Sequence, residues 1–258
     1  MNTLFDPTLL SRIEDAGLNA SATPQQRLVD GWLVRFSPGK AKRARCVNAV
    51  ATGRLPVPQK LALCERVFAE ADLPMIVRIT PFTQPSELDA MLDGMGLRRF
   101  DDTRVMVLNE LQGVVAPPLP EGLNLQRIAL EPFAQAIGAL RASPLAQRQA
   151  HGQRLVNAAV TFSAFVLRRE GEVVACGQFA LEAELVGLYD VFTAVSARGQ
   201  GLASLLCRHL LVQARSQGAG HAYLQVDADN RAARAVYQRL GFVDGYAYHY
   251  RTRNPSAA

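Results

Sequence analysis

Hydrophobic and polar positions recur along the first half of the chain with the periods of both strands and helices. Gly31 to Phe36 alternates as a half-buried strand does, whereas residues 60–71 place apolar side chains at 61, 64 and 68 on one helical face. Ser86 stands where a helix begins and Gly96 where it ends. In this half the pattern predicts helices over 8–17, 60–71 and 86–95, and strands over 31–36, 45–50, 74–79 and 98–108.

In the second half of the chain, turn residues mark the boundaries between the predicted elements more clearly. Three strand-like runs follow one another, and the Glu170-Gly171-Glu172 turn between the first two predicts antiparallel hairpins. A long apolar stripe through Leu202, Leu206 and Leu210 then predicts a helix. In this half we predict strands over 124–128, 162–169, 173–181, 185–193, 221–226 and 242–251, and helices over 132–141, 145–157, 200–217 and 231–240.

A proline-rich segment separates the two halves. Pro117, Pro118 and Pro120 lie within four positions, and prolines so placed continue neither a helix nor a central strand. Both halves also close alike, with a strand, a helix, a glycine and a last strand. We therefore predict a lobe over 1–111, a linker over 112–122 and a second lobe over 123–258.

Composition narrows the class of protein. With 49% hydrophobic residues the chain has ample material for a core, so disorder is excluded. The longest uncharged apolar stretch, 155–167, is shorter than the about 20 residues of a membrane-spanning helix. No basic start precedes an apolar run, so we expect a cytoplasmic protein without a secretion signal. The four cysteines are widely spaced and no histidines pair at i, i+4, so we predict buried thiols and no metal site.

The net charge of +5 raises the question of an anionic partner. The basic side chains are dispersed, apart from the cluster Lys40, Lys42, Arg43 and Arg45. Residues 116–258 carry most of the excess, which suits a small phosphorylated ligand at least as well as a nucleic acid.

The segment Arg198 to Ala203 contains two glycines between a strand and the longest helix. Glycines let the backbone approach a ligand, and a helix start presents unpaired amides to an anion. The segment is either a pyrophosphate cradle or a tight connection that is glycine-rich for steric reasons. It is no Walker loop, and the dinucleotide fingerprint fails because Ser204 stands at its third glycine.

Two blocks of residues make the chain similar to the GCN5-related N-acetyltransferase (GNAT) family. Arg198, Gly201 and Ala203 match that family's coenzyme A loop, Arg/Gln-x-x-Gly-x-Gly/Ala. The second block is Asn230, Ala233, Val236-Tyr237 and Gly241-Phe242. The resemblance covers about residues 123–251, and the whole chain resembles a fused subgroup whose first domain is degenerate. It implies a three-layer α+β fold with two tandem mixed-sheet lobes and helices on both faces.

The same resemblance implies acetyl-coenzyme A as cosubstrate and assigns roles to particular residues. The strand ending at 191–193 would carry the pantetheine arm, and an amide near Val191 or Phe192 would face the thioester oxygen. Asn230 would touch the coenzyme arm, although it could equally cap its helix. Tyr237 would protonate the departing sulfur, although packing alone could explain its ring. The implied cofactor-binding residues are Val191, Phe192, Thr193, Arg198, Gly199, Gln200, Gly201, Leu202, Ala203 and Asn230.

The acceptor side is less defined. Asp190 and Tyr189 are candidate bases by alternation on their strand, with His151, Glu182 and Glu184 as further candidates. In the first lobe, Trp32, Arg35, Arg43 and Asn48 resemble a substrate motif of the fused subgroup, but Arg45 and Cys46 depart from it. A solvated strand edge beside a core tryptophan is the alternative. The predicted substrate-binding residues are Trp32, Arg35, Arg43 and His151.

Together these observations predict an acetyl-coenzyme A-dependent N-acetyltransferase. Its acceptor would be an amine of a small molecule, an amino acid or a peptide. Two alternatives are a coenzyme A-binding regulatory module without turnover and a basic nucleic-acid or ribosome-associated protein. The intact Tyr237 disfavours the first alternative, and the dispersed charge disfavours the second.

Overall fold

The computed structural model describes residues 4–37 and 41–257. These ranges form seven α-helices and eleven β-strands, numbered here in chain order. The helices are α1 Pro7–Ala20, α2 Val57–Glu70, α3 Leu88–Gly94, α4 Leu130–Leu140, α5 Leu145–Val156, α6 Leu202–Ser216 and α7 Arg231–Arg239. The strands are β1 Gln26–Val29, β2 Trp32–Arg35, β3 Val47–Asn48, β4 Val77–Ile79, β5 Arg98–Leu108, β6 Leu123–Ile128, β7 Thr161–Arg169, β8 Glu172–Glu182, β9 Leu185–Thr193, β10 His221–Asp227 and β11 Val243–Thr252.

All these strands join one mixed sheet, in the order β1-β2-β3-β4-β11-β5-β10-β9-β8-β7-β6. The predicted antiparallel hairpins β7–β8 and β8–β9 are confirmed. The turn between β7 and β8 has positive φ at both Glu170 and Gly171, the geometry that suits the right-handed twist of a two-residue hairpin. Helices cover both faces of the sheet, so the α+β three-layer prediction is confirmed.

Both halves of the chain follow the same order of elements. Each has antiparallel strands, a helix, a strand parallel to the preceding one, a second helix and a last strand. The parallel pairs are β3–β4 across α2 and β9–β10 across α6. This order matches the internal repeat that the two similar endings indicate, while the boundaries at 111 and 123 stay a prediction.

The last strands of the two halves are exchanged. β5, from the first half, lies between β10 and β11 and pairs antiparallel with both. β11, from the second half, lies between β4 and β5, with His249 opposite Ile79. Because each half completes the sheet of the other, the centre of the molecule is built from both.

Residues 112–122 form neither helix nor strand, but they are held in place. Arg215 on α6 donates from Nη1 to the carbonyl oxygens of Leu111, Gln112 and Val114, at 2.9 to 3.0 Å. Leu111 is buried in the same core as α6. The segment therefore packs along α6 as an ordered connection.

The helices divide between the two faces of the sheet. On one face, Leu206 and Leu210 of α6 pack against Phe179 and Leu224. On the other face, α1 covers the centre through Leu10 and Ile13, and α4 covers β7 and β8. The polar groups of the candidate site lie on the face of α1, α4 and α5.

Most predicted elements are confirmed within a few residues, with two exceptions. β1 was not predicted, because its side chains are mostly exposed and show no alternation. The signal that would find it is the Asp30-Gly31 turn, where both residues have positive φ. The cap assigned to Ser86 is wrong: α3 begins at Leu88, because the amide of Leu88 first closes a three-residue turn on the Pro85 carbonyl.

Three further observations concern the described residues. None of their helices is both long and apolar enough to cross a bilayer. The four cysteines are buried and free. No group of three or more metal-ligating side chains is found in residues 4–37 and 41–257.

Candidate active site

The parallel strands β9 and β10 separate part of the way along their length. They pair only where Leu185 to Leu188 face His221 to Leu224. Beyond this point β9 continues beside β8, whereas β10 continues beside β5. The backbone of residues 189–193 consequently faces a wedge-shaped opening in the sheet instead of a neighbouring strand. Unpaired strand backbone of this kind can bind an extended, peptide-like chain.

A β-bulge lies at the mouth of this wedge. Cys176 pairs with Phe192 and Gln178 pairs with Tyr189, so Asp190 and Val191 together face the single residue Gly177. Asp190 takes a positive φ of 52°, which is uncommon for a residue with a side chain. A bulge turns the strand locally and redirects its backbone groups, which suits a site where an amide must face a ligand.

The loop before α6 is open to a ligand. Gly199 and Gly201 have φ of 77° and 75°, and a Cβ placed on either would meet no atom within 4 Å. Gly201 is also the N-cap of α6 and supplies no side chain to its first amides. These amides and the positive end of the helix dipole fit a pyrophosphate. The binding role that the sequence predicts for residues 198–203 stays a prediction, and the open loop has room for the ligand.

The corresponding loop of the first half is already filled from within the chain. The carboxylate of Asp30 accepts hydrogen bonds from the backbone amides of Arg54 and Leu55, at 2.7 to 3.0 Å. These bonds lower the pKa of Asp30 below its ordinary value. A Cβ on Gly53 would collide with the Asp30 carbonyl oxygen at 2.1 Å. An internal anion therefore occupies the amides that precede α2.

Tyr237 lies half-buried on α7. Its ring packs edge-on against Phe242, with 6.1 Å between the ring centroids. Burial raises its pKa above the ordinary value of a phenol, so it is protonated at neutral pH. Its hydroxyl forms no hydrogen bond with the described part of the chain. The two interpretations of this residue are therefore compatible, since the ring packs while the phenol proton stays available.

Asn230 caps α7, as one of its two predicted roles requires. Its Oδ1 accepts a hydrogen bond from the amide of Ala233 at 3.1 Å. The residue is exposed, so the cap leaves part of its amide group accessible. Contact with a coenzyme arm stays a prediction.

Asp190 is engaged by several polar groups. Its carboxylate lies 3.0 Å from Arg141 Nη1 and 3.1 Å from His151 Nε2, and it accepts from Gln178 Nε2 at 2.8 Å. Burial alone would raise its pKa, but His151, Arg141 and Arg154 outweigh that effect and hold the pKa well below the ordinary range. A carboxylate so strongly stabilised is a poor proton acceptor, which weighs against Asp190 as the base.

Tyr189 is also unsuited to accept a proton. Its hydroxyl shares a hydrogen bond of 2.8 Å with the hydroxyl of Tyr223. Burial raises its pKa to about 12, so the phenol stays protonated at neutral pH.

Glu182 and Glu184 lie at the closed end of β9, away from the wedge. Glu182 accepts from Asn19, and Glu184 is ion-paired with Arg12. The bond from Arg12 lowers the pKa of Glu184 to about 2. Of the predicted base candidates, His151 is the one that lies beside the bulge and is neither an ion-paired carboxylate nor a buried phenol.

The substrate residues predicted in the first half divide into two groups. Trp32 is fully buried in the core of that half, and its Nε1 donates to the Gln84 carbonyl at 3.3 Å. Arg35 is 2% exposed and donates to Gln26, and Asn48 is buried as well. Alternation predicts a strand here but does not reveal that both faces are covered. These three side chains are therefore part of the core and not of the wedge.

Arg43 does reach the second half. Its Nη1 donates to Gln225 Oε1 on β10 at 2.6 Å, and the same oxygen accepts from Tyr248. Of its neighbours in the predicted basic cluster, Lys42 is ion-paired with Asp101, and Lys40 lies outside the described residues.

Four polar residues beside the wedge escape prediction from sequence alone: Arg141, Arg154, Gln178 and Gln225. Gln178 is 1% exposed, and its Oε1 has no hydrogen-bond partner in the described ranges. Arg154 follows His151 by three positions, so both lie on one face of α5. That spacing is the one local signal that could have singled out Arg154.

Comparison with known sequences gives a consistent result. Residues 161–242 match the sequence model of the acetyltransferase (GNAT) family. The mycothiol acetyltransferase of Streptomyces coelicolor is 40% identical over 81 residues, covering 31% of this chain and 26% of that protein. The uncharacterized N-acetyltransferase YjgM of Escherichia coli K12 is 35% identical over 82 residues, covering 30% of this chain and 49% of the other. The similarity thus spans half or less of these relatives.

Solved structures resemble the whole fold. A GCN5-related N-acetyltransferase from Kribbella flavida superposes with a TM-score of 0.67 at 19% identity, covering 95% of both chains. A tandem GNAT protein from the clavulanic acid biosynthesis pathway gives 0.61 at 16% identity, covering 78% of this chain and 72% of that one. At these coverages the likeness in fold extends well beyond residues 161–242.

Proposed function

The chain belongs to the GNAT acetyltransferase family through its second half, and on that premise we propose that it transfers an acetyl group from acetyl-coenzyme A to an amine. The observation that carries the proposal is the meeting of three features at one opening. The strand bulge, the unpaired backbone of 189–193 and the open glycine loop all border the wedge between β9 and β10. Acetyl-coenzyme A has a part that suits each of these features: a thioester oxygen, a peptide-like pantetheine arm and a pyrophosphate.

Acetyl-coenzyme A acts here as a substrate that is held by backbone groups. The amides of Gly199 to Ala203 bind its pyrophosphate, since no hydrogen bond within the described chain engages them, whereas the Arg198 amide donates to the Val195 carbonyl. The amide-containing pantetheine arm adds beside residues 191–193 as an extra strand would. Asn230 contacts that arm with the part of its side chain that the helix cap leaves accessible.

The bulge supplies the donor for the oxyanion. When the amine nitrogen attacks the thioester carbon, the carbonyl oxygen gains negative charge. The amide of Val191 or Phe192 faces that oxygen, because the bulge redirects the backbone at this point. Loss of such a donor typically lowers turnover by about 10²- to 10³-fold.

Tyr237 acts as the general acid. As the carbon–sulfur bond breaks, the departing thiolate takes the proton of the phenol, which burial keeps in place at neutral pH. The ring contact with Phe242 fixes the orientation of the phenol.

His151 acts as the general base in place of Asp190 and Tyr189. Its Nε2 lies 3.1 Å from the Asp190 carboxylate, which holds the ring and favours a proton on that nitrogen. Nδ1 is then the basic nitrogen, and it takes a proton from the acceptor ammonium directly or through water. Asp190 is a positioning residue in this scheme.

The first half supports the reaction without a coenzyme site of its own. The Asp30 carboxylate already holds the amides before α2, and Leu92 stands where the second half has Tyr237. A second pyrophosphate would have to displace this carboxylate, so we propose one active site per chain.

The test is Tyr237→Phe, assayed by thiol release from acetyl-coenzyme A over a panel of amines. We expect turnover to fall by about 10²-fold because the departing thiolate loses its proton donor. The affinity for coenzyme A should stay unchanged, since the pyrophosphate amides lie on a separate loop. Equal turnover in the variant would exclude Tyr237 as the acid. Coenzyme A binding without turnover on any amine would favour a regulatory module instead.

A further inference from the structure

Positive charge exceeds negative charge on the acceptor side of the wedge. Three arginines border the wedge there: Arg141 from the end of α4 and Arg154 from α5 on the side of the bulge, and Arg43 from the first half of the chain at Gln225 on β10. Asp190 is the carboxylate that lies beside Arg141 and Arg154. One anion among three guanidinium groups leaves the region with a net positive charge.

The single carboxylate is already engaged. Asp190 is bound by Arg141 at 3.0 Å, lies beside His151 at 3.1 Å and accepts from Gln178. Two acidic groups on the same face of the sheet are also committed: Glu14 forms a bidentate pair with Arg78, and Glu182 accepts from Asn19. No hydrogen bond or ion pair within residues 4–37 and 41–257 joins Arg43 or Arg154 to a carboxylate.

Arg43 and Arg154 have no anionic partner. Arg43 donates to neutral oxygens, those of Gln225 at 2.6 Å and Tyr248 at 3.4 Å. Arg154 forms no ion pair or hydrogen bond with residues 4–37 and 41–257. Burial lowers the pKa of Arg154, the negative charge of Asp190 raises it and the positive charge of Arg43 lowers it further. Arg43 thus lies on the β10 side of the wedge, at Gln225, and Arg154 lies on the β9 side, one turn along α5 from His151.

Such an arrangement is costly unless an anion enters it. Two partly desolvated like charges destabilise each other, and a buried charge normally has a partner. A guanidinium group matches the geometry of a carboxylate and can bind it through two parallel hydrogen bonds. The arrangement thus fits an anion that arrives with a ligand.

The geometry points to an acceptor that carries a carboxylate as well as its amine, as an amino acid does, with the carboxylate bound between Arg43 and Arg154. This inference rests on the proposed acetyltransferase function. The amine of such an acceptor lies toward the bulge, where His151 is placed beside Asp190. The carboxylate binds from both halves of the chain at once, which gives the first half a direct part in substrate selection.

The experiment compares amino acids with their carboxamides as acceptors, in the wild type and in Arg154→Gln. Each carboxamide keeps the amine and removes only the negative charge. We expect the wild type to favour the carboxylates. In the variant, the KM for carboxylates should rise about 10- to 100-fold while the values for carboxamides stay unchanged, as expected for loss of one charged hydrogen-bonded pair. Arg154→Lys should restore part of the affinity.

Arg66→Gln is the matched control, because it removes the same charge from an exposed position on α2. It should leave both classes of acceptor unaffected. Arg154 is preferred to Arg43 for the test, since Arg43 also joins the two halves and its loss could unfold the protein.

The outcomes separate the two levels of the proposal. Turnover of amines with no preference for carboxylates, or an equal effect of Arg154→Gln on both classes, would overturn the inference and leave the acetyltransferase function standing. Absence of turnover on every amine, in a folded protein that binds coenzyme A, would instead refute the function and the inference with it.

Discussion

At the scale of single residues, the two glycines of the loop before α6 combine strained backbone with empty space. Gly199 and Gly201 have positive φ, yet a side chain on either would touch nothing in the protein. Packing within the chain therefore gives no reason for glycine here beyond the backbone conformation. We propose that a ligand that approaches the loop closely supplies the second reason.

This contrast predicts the effect of Gly201→Ala. The strained φ should cost about 1 kcal/mol of stability. The affinity for coenzyme A should fall by about 10-fold or more, because the new methyl group lies where the pyrophosphate binds. Titration of coenzyme A by calorimetry measures this change.

Gly171→Ala provides the control for that variant. Gly171 also has positive φ and open space around it, but it lies in the β7–β8 turn. We expect a similar loss of stability and no change in coenzyme A affinity. If both variants lowered the affinity for coenzyme A equally, the loop before α6 would not be the binding site.

Residues whose roles follow from local pattern were predicted well, and residues brought together by the fold were not. The cap at Asn230 is confirmed because a cap depends only on the next three residues. Arg154 and Gln178 gained their place beside Asp190 from the packing of α5 and the pairing of β8, which no local pattern encodes. Trp32 stands in a predicted strand, but alternation does not tell a ligand-facing side chain from one in the core.

At the scale of elements, α5 is held onto β9 by the polar cluster around Asp190. The helix contributes few buried apolar residues, Leu155 among them, so the cluster is a large part of its attachment. Arg141 at the end of α4 joins the same carboxylate. One side chain on the bulge thus fixes two helices.

Asp190→Asn should therefore destabilise the protein by about 3 kcal/mol at pH 7. The folded state holds the pKa of Asp190 below its ordinary value, so the stability that it contributes is present above the ordinary carboxyl range. That contribution is lost as the pH falls below about 4, where the unfolded chain begins to bind a proton and the folded chain does not. The difference between wild type and variant should be constant from pH 7 to 5 and shrink below pH 4.

Urea unfolding at several pH values measures this difference. Asp229→Asn serves as the control, since Asp229 is exposed and should change stability by less than about 0.5 kcal/mol. A difference that grew toward acid would contradict the depressed pKa.

Elements with strong periodicity were predicted with nearly correct ends, such as β5 over 98–108 and β9 over 185–193. β1 was not predicted, because an exposed edge strand has no buried face and therefore no alternation of apolar and polar residues. The bulge at Asp190 also escaped, since it arises from an extra residue relative to β8 and not from a local signal. The pairing and register of one strand against another could not be predicted from the sequence.

At the scale of the whole molecule, the exchange of β5 and β11 makes the halves depend on each other. If the chain is cut within 112–122, each half lacks the strand that its sheet borrows. We expect each half alone to be poorly folded, with long unpaired edges. Coexpressed halves should assemble and regain both a cooperative unfolding transition and coenzyme A binding. Either half folding stably by itself would contradict this dependence.

The exchange has a consequence for the time course of folding. β4 pairs with β3 early, but it gains its second neighbour only when His249 meets Ile79, so the sheet cannot close until β11 leaves the ribosome. During synthesis, β5 is an eleven-residue strand with neither of its partners present. Such long-range pairing folds slowly and leaves aggregation-prone edges exposed. A deletion that begins at residue 243 and removes β11 should thus undo the centre of both halves at once.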